Sequence, residues 1–494
     1  MRDMIRRILV LLCAAWSVAS CGGDGGSSDG DQDMGADDAG GGGDPAPDMA
    51  VKFGVSPRDF NGDDFDDVLV GAPGSTGAMP QGYVNVYFGA DSPTLDGTAD
   101  RTLVGESSGD QFGKSVAAAD DFNDDSYADI IVGSPGDGAG GTSAGRVDIF
   151  FGGPGATFDD EADWTVLGAT DDRLGASVSS AGDLNGDDIA DVVVGAPGSA
   201  ITGPGKALVF LGESDPGCPP TIPCDALAAD ASLTGNPIDD YEFGQSVSAA
   251  DLDGDGFDDV IVGAPGAPLN GIAYVFNGGA GAFDPVSDEQ LAGTGVGEDF
   301  GYAVLGLSDT NGDGVDDVAV GAWHNGGGGA NAGAAYVFFG GTAGVSTVAA
   351  GTIYGAGSTF FGATLGTGDF NGDGLGDLAV GHRFMTQVRV YLGVVDALAF
   401  DDAPDRVFGG STSIVAAAGT VGDVNHDGFD EVIVGGPSDS TAIVYFGANP
   451  LDGTSEGTLM GVLGDMFGDA VAWSVPSFPA GAPMCVPPRW PSGG

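Results

Sequence analysis

Basic side chains are scarce in this chain: 14 Lys and Arg stand against 73 Asp and Glu in 494 residues, for a formal net charge of −59. A surface of that sign argues against nucleic acid and anionic membrane as partners, since both call for basic patches. Histidine is scarcer still. His324, His382 and His426 fall in three different repeats, and no Ser/His pairing, zinc cluster or phosphate-cradling motif accompanies them. The run Gly326 to Gly329 follows a strand pattern but opens no helix, so it reads as a loop. No stretch carries helical periodicity. The apolar run Ile8 to Val18 stops at eleven residues, short of the ~20 needed to cross a bilayer. Cysteine is limited to five. These absences leave an acidic, strand-forming chain with little sign of catalysis.

What is abundant is Asp and Gly, in one arrangement. In Asp251-Leu-Asp-Gly-Asp-Gly-Phe-Asp-Asp-Val-Ile-Val-Gly-Ala-Pro265, Asp251, Asp253 and Asp255 alternate and Asp259 follows. Counting Asp251 as position 1, the acids at 1, 3, 5 and 9 suit a hard cation that takes six to eight oxygens at ~2.3–2.6 Å. Gly254 and Gly256 tolerate the positive φ of a tight curl, and the Phe257 carbonyl at position 7 is the natural backbone ligand. An EF-hand is excluded. It needs a bidentate Glu at position 12 that opens a helix, whereas Val262 sits there inside a β-branched run.

The unit occurs seven times. Its other copies read Asp59, Asn61, Asp63, Phe65, Asp67; Asp121, Asn123, Asp125, Tyr127, Asp129; Asp183, Asn185, Asp187, Ile189, Asp191; Asp309, Asn311, Asp313, Val315, Asp317; Asp369, Asn371, Asp373, Leu375, Asp377; and Asp423, Asn425, Asp427, Phe429, Glu431. Spacings of 62, 62, 68, 58, 60 and 54 residues mark one repeating supersecondary unit. A single acidic turn is ordinarily a solvated loop, but repetition with fixed ligand positions points to calcium, at up to seven sites.

Each unit continues into a strand ending near Gly-Ala-Pro, a second strand rich in Val, Tyr and Phe, a weaker third, and a segment opening on Phe-Gly or a relative. Four short strands per unit with glycine turns predict radial antiparallel sheets: an all-β, seven-bladed β-propeller of four-stranded blades. An open β-solenoid is the rival. The last Phe-Gly, at Phe467, has no loop after it. Its strand is expected to complete the first blade and close the ring; the alternative is a broken eighth repeat.

The flanks read differently. Residues 1–20 resemble a lipoprotein signal peptide, with Arg2, Arg6 and Arg7 before the apolar run, and Val18-Ala19-Ser20-Cys21 is similar to the lipobox of bacterial lipoproteins. That resemblance implies lipidation of Cys21, with an ordinary cleaved signal as the alternative. Loss of Arg2, Asp3, Arg6 and Arg7 would take the charge from −59 to −61. Residues 21–50 are a Gly/Asp-rich flexible tether, residues 51–475 the propeller, and 476–494 a Pro-rich tail. Cys218 and Cys224 bracket Cys-Pro-Pro-Thr-Ile-Pro-Cys in the insertion behind the 68-residue spacing, and an exported chain predicts a local disulfide there. Cys485 receives no role.

Phe-Gly, then Asp-x-Asn/Asp-x-Asp-Gly, then Val-Gly-Ala-Pro resembles the FG-GAP repeat of integrin α-subunit head propellers and many bacterial surface proteins. The resemblance implies structural cations on the face away from the ligand, and a binding or adhesion role for the opposite face. Two function classes follow: a lipid-anchored, monomeric extracytoplasmic module for a protein or glycan partner, and an enzyme of lyase or phosphodiesterase type acting on an extracellular polymer. A structural envelope protein is a third. The expected location is the bacterial cell envelope, at the outer membrane or cell surface.

Overall fold

The computed structural model describes residues 58–471 apart from short stretches, the longest at 199–203, 214–223, 236–240 and 410–416. Its strands form seven sheets. Blade two shows the plan: Ser115–Ala118, Ile130–Ser134, Arg146–Phe150 and Trp164–Leu167 pair antiparallel in chain order. Blade three runs from Ser177–Gly182 to Ala231–Leu233, blade four from Ser246–Ala250 to Glu289–Leu291, and blade five from Phe300–Leu307 to Gly351–Tyr354. Blade six runs from Phe361–Gly368 to Arg406–Gly409 and blade seven from Ala417–Thr420 to Gly457–Met460.

Blade one is assembled from both ends of the array. Val68–Ala72, Tyr83–Tyr87 and Arg101–Val104 supply three strands, and Ala470–Val471 pairs with Val68–Ala72 through Val70 with Val471 and Gly71 with Ala470. The C-terminal strand therefore completes the first blade, and neither a solenoid nor an eighth repeat describes the molecule. An apolar cluster joining Val68, Val70 and Tyr83 to Ile433, Val444 and Leu459 packs blade seven against blade one. Burying the edge of Val68–Ala72 in this way removes a template for aggregation.

Position in the blade explains strand composition. The second strand, such as Asp191–Ala196, is buried along its full length between neighbouring blades, so it reads as an unbroken Val run. The fourth strand alternates; in Arg101–Val104 only Leu103 is buried. Apolar residues of successive blades fill the space between sheets, as where Ile131, Val147 and Trp164 meet Val192, Val194 and Phe210.

The two glycines of the motif meet across blades. A Cβ on Gly195, in the Gly-Ala-Pro turn of blade three, would stand 2.1 Å from the carbonyl oxygen of Gly244, in the Phe-Gly of blade four. The Ser177 hydroxyl donates to that same carbonyl at 3.1 Å. Ser115 to Gly175 and Ser246 to Gly301 repeat the bond at neighbouring joints. The close approach leaves no room for a side chain.

One element was not foreseen. Cys224–Asp225 adds a parallel strand to the outer edge of blade two, beside Trp164–Leu167. The expected disulfide cannot be followed, since Cys218 lies outside the described residues, as do Cys21 and the flanking segments 1–57 and 472–494.

Candidate functional site

Each acidic loop folds around its position-1 carboxylate. In loop four, Asp251 Oδ1 accepts the N–H of Gly254 (2.8 Å) and Asp255 (3.2 Å), and Oδ2 accepts that of Gly256 (3.0 Å). Asp59, Asp183, Asp309 and Asp369 make the same three bonds. Asp121 and Asp423 accept from positions 5 and 6. This wrapping needs positive φ at positions 4 and 6. All seven loops show it, from Gly254 (72°) and Gly256 (92°) to the non-glycine Asp124 (59°), Ser126 (74°) and His426 (58°). Position 5 then accepts the N–H of position 7 in every loop, as from Phe65 to Asp63 and from Phe257 to Asp255.

Position 9 is the buried anchor. Asp67, Asp129, Asp191, Asp259, Asp317, Asp377 and Glu431 are all 2% exposed or less. One oxygen of each accepts the N–H of position 2. In the six Asp loops the other accepts from the glycine that ends the blade's third strand: Gly89, Gly152, Gly212, Gly278, Gly340 or Gly393. Burial, and secondarily the neighbouring carboxylates, push these acids up: Asp67 to about 9, Asp191, Asp259 and Asp377 to about 8, and Asp317 to about 7. Asp129 and Glu431 rise well above the ordinary range for the same reasons.

In two loops three carboxylates converge. Asp251, Asp253 and Asp259 bring one oxygen each within 4.8 Å of one another, and so do Asp423, Asp427 and Glu431. Loop four alone has an acid at position 3; the other six carry Asn61, Asn123, Asn185, Asn311, Asn371 and, in loop seven, Asn425. The position-5 bond to position 7 is kept in all of them.

The loops also join the blades, which their sequence did not reveal. The position-2 carbonyl of each loop accepts an N–H from the next blade around the ring: Phe60 from Gly153, Phe122 from Glu213, Leu184 from Gly279, Leu252 from Gly341, Thr310 from Val394, Phe370 from Ala448 and Val424 from Ala90. Position-1 carbonyls accept from position 8 of the next loop, as Asp183 from Asp258 and Asp369 from Asp430. Side chains at position 7 lean on position 4 of the preceding loop; Phe257 lies against Gly186 and Tyr127 against Gly62. His426 takes part in this packing. It occupies position 4 of loop seven and meets the Phe65 ring of blade one at 4.9 Å.

At the other end of the second strands the repeat breaks in two adjacent blades. Blades five and six carry Trp323 and Arg383 where the others have Pro. Trp323 stacks on Tyr302 at 4.5 Å, and the Arg383 guanidinium lies 4.4 Å from the indole centre while donating to the Tyr302 hydroxyl at 2.8 Å. Asp299 accepts the Trp323 indole N–H at 3.0 Å and bonds the His324 ring. Trp323, His324, Tyr302 and Phe360 are half-buried and Arg383 is exposed. His382 is buried, bonded to the Gln387 carbonyl, and desolvation lowers it to about 4. Only the drift from Pro signalled this cluster in the sequence.

Comparison with known proteins agrees with the repeat. The FG-GAP repeat model matches residues 53–87, 112–150, 174–210, 243–282 and 361–383. Loops five and seven fall outside those matches yet keep the bond pattern of the rest. Integrin alpha-PS5 of Drosophila melanogaster is 36% identical over 165 residues, 33% of this chain and 16% of that protein. Integrin alpha-5 of Xenopus laevis is 33% identical over 241 residues, 43% of this chain and 20% of that protein. Integrin alpha pat-2 of Caenorhabditis elegans is 41% identical over 91 residues, 17% of this chain and 7% of that protein. The matches thus span a fifth or less of these relatives' length. Among solved structures, BBS1N in complex with ARL6DN, soaked with lead, aligns over 70% of this chain and 81% of that one at 9% identity and a TM-score of 0.43. The chain is a seven-bladed β-propeller that matches the FG-GAP repeat in five stretches and is similar to integrin α-chains.

Proposed function

We propose that the chain is a calcium-stabilised binding module, tethered to the bacterial envelope by a lipid on Cys21, that presents the face opposite its acidic loops to a protein or glycan. The carrying observation is the division of labour along each second strand. Acidic loops joining the blades stand at its start, and in blades five and six the half-buried Trp323 with the exposed Arg383 on it stands past its end.

The loop residues fit calcium. Buried carboxylates face other carboxylates, which is unfavourable until a cation enters. In loop seven the Glu431 Oε1 atom is buried without a hydrogen-bond partner among the described residues. The oxygen-only donor set is that of a hard cation. Positions 1, 3, 5 and 9, with the position-7 carbonyl, would hold it. Bound there, calcium supplies charge neutralisation, and the loop's own carbonyls transmit the order to the next blade.

Trp, Tyr and Arg are the residues that dominate binding hot spots. Stacking on Trp323 and the bond to the Tyr302 hydroxyl pre-order the Arg383 guanidinium. The test is binding of the full chain to arrays of extracellular polysaccharides and envelope proteins, in calcium and in EDTA. Binding that needs calcium and is lost in W323A and R383A supports the reading; binding indifferent to both variants and to chelator overturns it.

The same basic and aromatic cluster favours a second reading, an enzyme acting on an extracellular polymer. His324 and Asp299 would then be its acid-base pair. Depolymerisation that disappears in H324A would establish it; binding without product formation rejects it.

A further inference from the structure

Loop seven differs from the others in one atom. In the six Asp loops both position-9 oxygens accept backbone N–H groups. Glu431 is fully buried; its Oε2 accepts from Val424 at 2.7 Å, while Oε1 has no hydrogen-bond partner among the described residues. Its carboxylate lies within 4.8 Å of oxygens of Asp423 and Asp427. A buried acceptor left unmatched is costly, and the cost is recovered when a ligand satisfies it. The extra methylene of Glu thus offers a whole oxygen to an ion that the Asp loops must share with N–H donors.

Loop seven also sits at a special place. At every other joint the chain runs from one blade into an inner strand that continues through the rest of the next blade, whereas at the joint from blade seven to blade one it enters the two-residue strand Ala470–Val471, which meets the N-terminal strands of blade one only by pairing with Val68–Ala72. On the loop side the contacts across it come from loop seven. Asp423 N–H donates to Asp66 Oδ2 at 2.9 Å, the Val424 carbonyl accepts from Ala90 at 3.0 Å, and His426 packs on Phe65. A Cβ on Gly422 would stand 1.8 Å from Asp66 Oδ2, so the fit there is tight.

We infer that loop seven is the clasp of the ring: Asp423, Asp427 and Glu431 bind a divalent cation more tightly than the other six loops, and its departure opens the seam between blades seven and one. This rests on the calcium reading above. Asp loops lose their ion first on chelation, and the seam holds until loop seven empties.

The experiment is calorimetric titration of the full chain with calcium chloride, paired with amide hydrogen exchange. The wild type should show one tight ion per chain above a weaker class. Glu431→Gln should weaken that ion about tenfold or more, a step of roughly 1.4 kcal/mol or more, and deprotect Ala470–Val471 and Tyr83–Tyr87. Asp191→Asn in loop three should leave the tight ion and the seam untouched. Glu431→Asp, which restores the ordinary loop and keeps the fold, should turn the tight ion into one of the weaker class. Calcium binding in a single class, or a tight class that survives both Glu431 variants, overturns the clasp while leaving the calcium reading intact. No calcium binding at all overturns both.

Discussion

Gly244 shows how little latitude the motif leaves. Its φ is 84° and an added Cβ would stand 2.3 Å from the Lys206 carbonyl. Gly244→Ala therefore combines a left-handed backbone penalty with a backbone overlap. It is expected to cost roughly 2–5 kcal/mol, read by urea denaturation in calcium buffer. A loss under about 0.5 kcal/mol, the level of an ordinary surface change, would contradict the contact. The position-9 acids make a prediction about pH. Their folded values, about 9 for Asp67 and about 8 for Asp191, Asp259 and Asp377, are raised above the unfolded value of 3.8. In chelator, the stability linked to them is fully present below 3.8 and is lost as pH rises through 7 to 9. Calcium needs the ionised form, so the gap in Tm between calcium and EDTA should widen from about pH 5 to about pH 9. A gap that narrows with pH would rule out buried carboxylates as the linked groups.

Among elements, the loop and the closing strand do most to set the architecture. A position-9 change such as Asp259→Ala removes the acceptor for Leu252 and Gly278 N–H at once. One buried and one part-buried donor are left unmatched, so a loss of roughly 2–4 kcal/mol is expected, with hydrogen exchange rising in the Ile272–Phe276 strand that Gly278 follows. Removing residues 465–494 tests the closing strand. It strips Ala470–Val471 from blade one and Phe467 and Val471 from the cluster behind it. The bared edge of Val68–Ala72 should drive self-association, visible by size-exclusion chromatography as loss of the monomer peak. A monomeric truncation of unchanged Tm would show that the ring does not depend on this strand.

At the scale of the molecule, the acidity and the ring belong together. Seven loops of like charge are bound into one circle by carbonyls that the same loops supply. If each ion binds with an affinity near 10⁻⁴ M, each adds about 1.4 kcal/mol at about 1 mM calcium. The sum over the ring is comparable to the stability of a domain. EDTA should therefore lower Tm by well over ten degrees, and an unchanged melting curve would sink the calcium reading. Added monovalent salt should recover only part of the loss, because buried carboxylates are screened far less than exposed ones.

Much of this was legible in the residues because it is local. The ligand spacing, the β-branched second strand and the glycine punctuation lie within one unit of about 60 residues, and their sevenfold return set the number of blades. The left-over Phe467-Gly468 segment even announced the closure, since a strand without a loop needs a partner elsewhere. Other features came only with tertiary structure, because they join groups far apart in the chain or depend on single atoms. The meeting of Gly195 with Gly244, the carbonyl bonds from loop to loop and the stacking of Arg383 on Trp323 all arise between blades. The Glu431 oxygen without a donor is invisible in a motif where Glu and Asp look interchangeable. Sequence determined the unit and its count; packing the units into a circle decided which atoms touch across each joint.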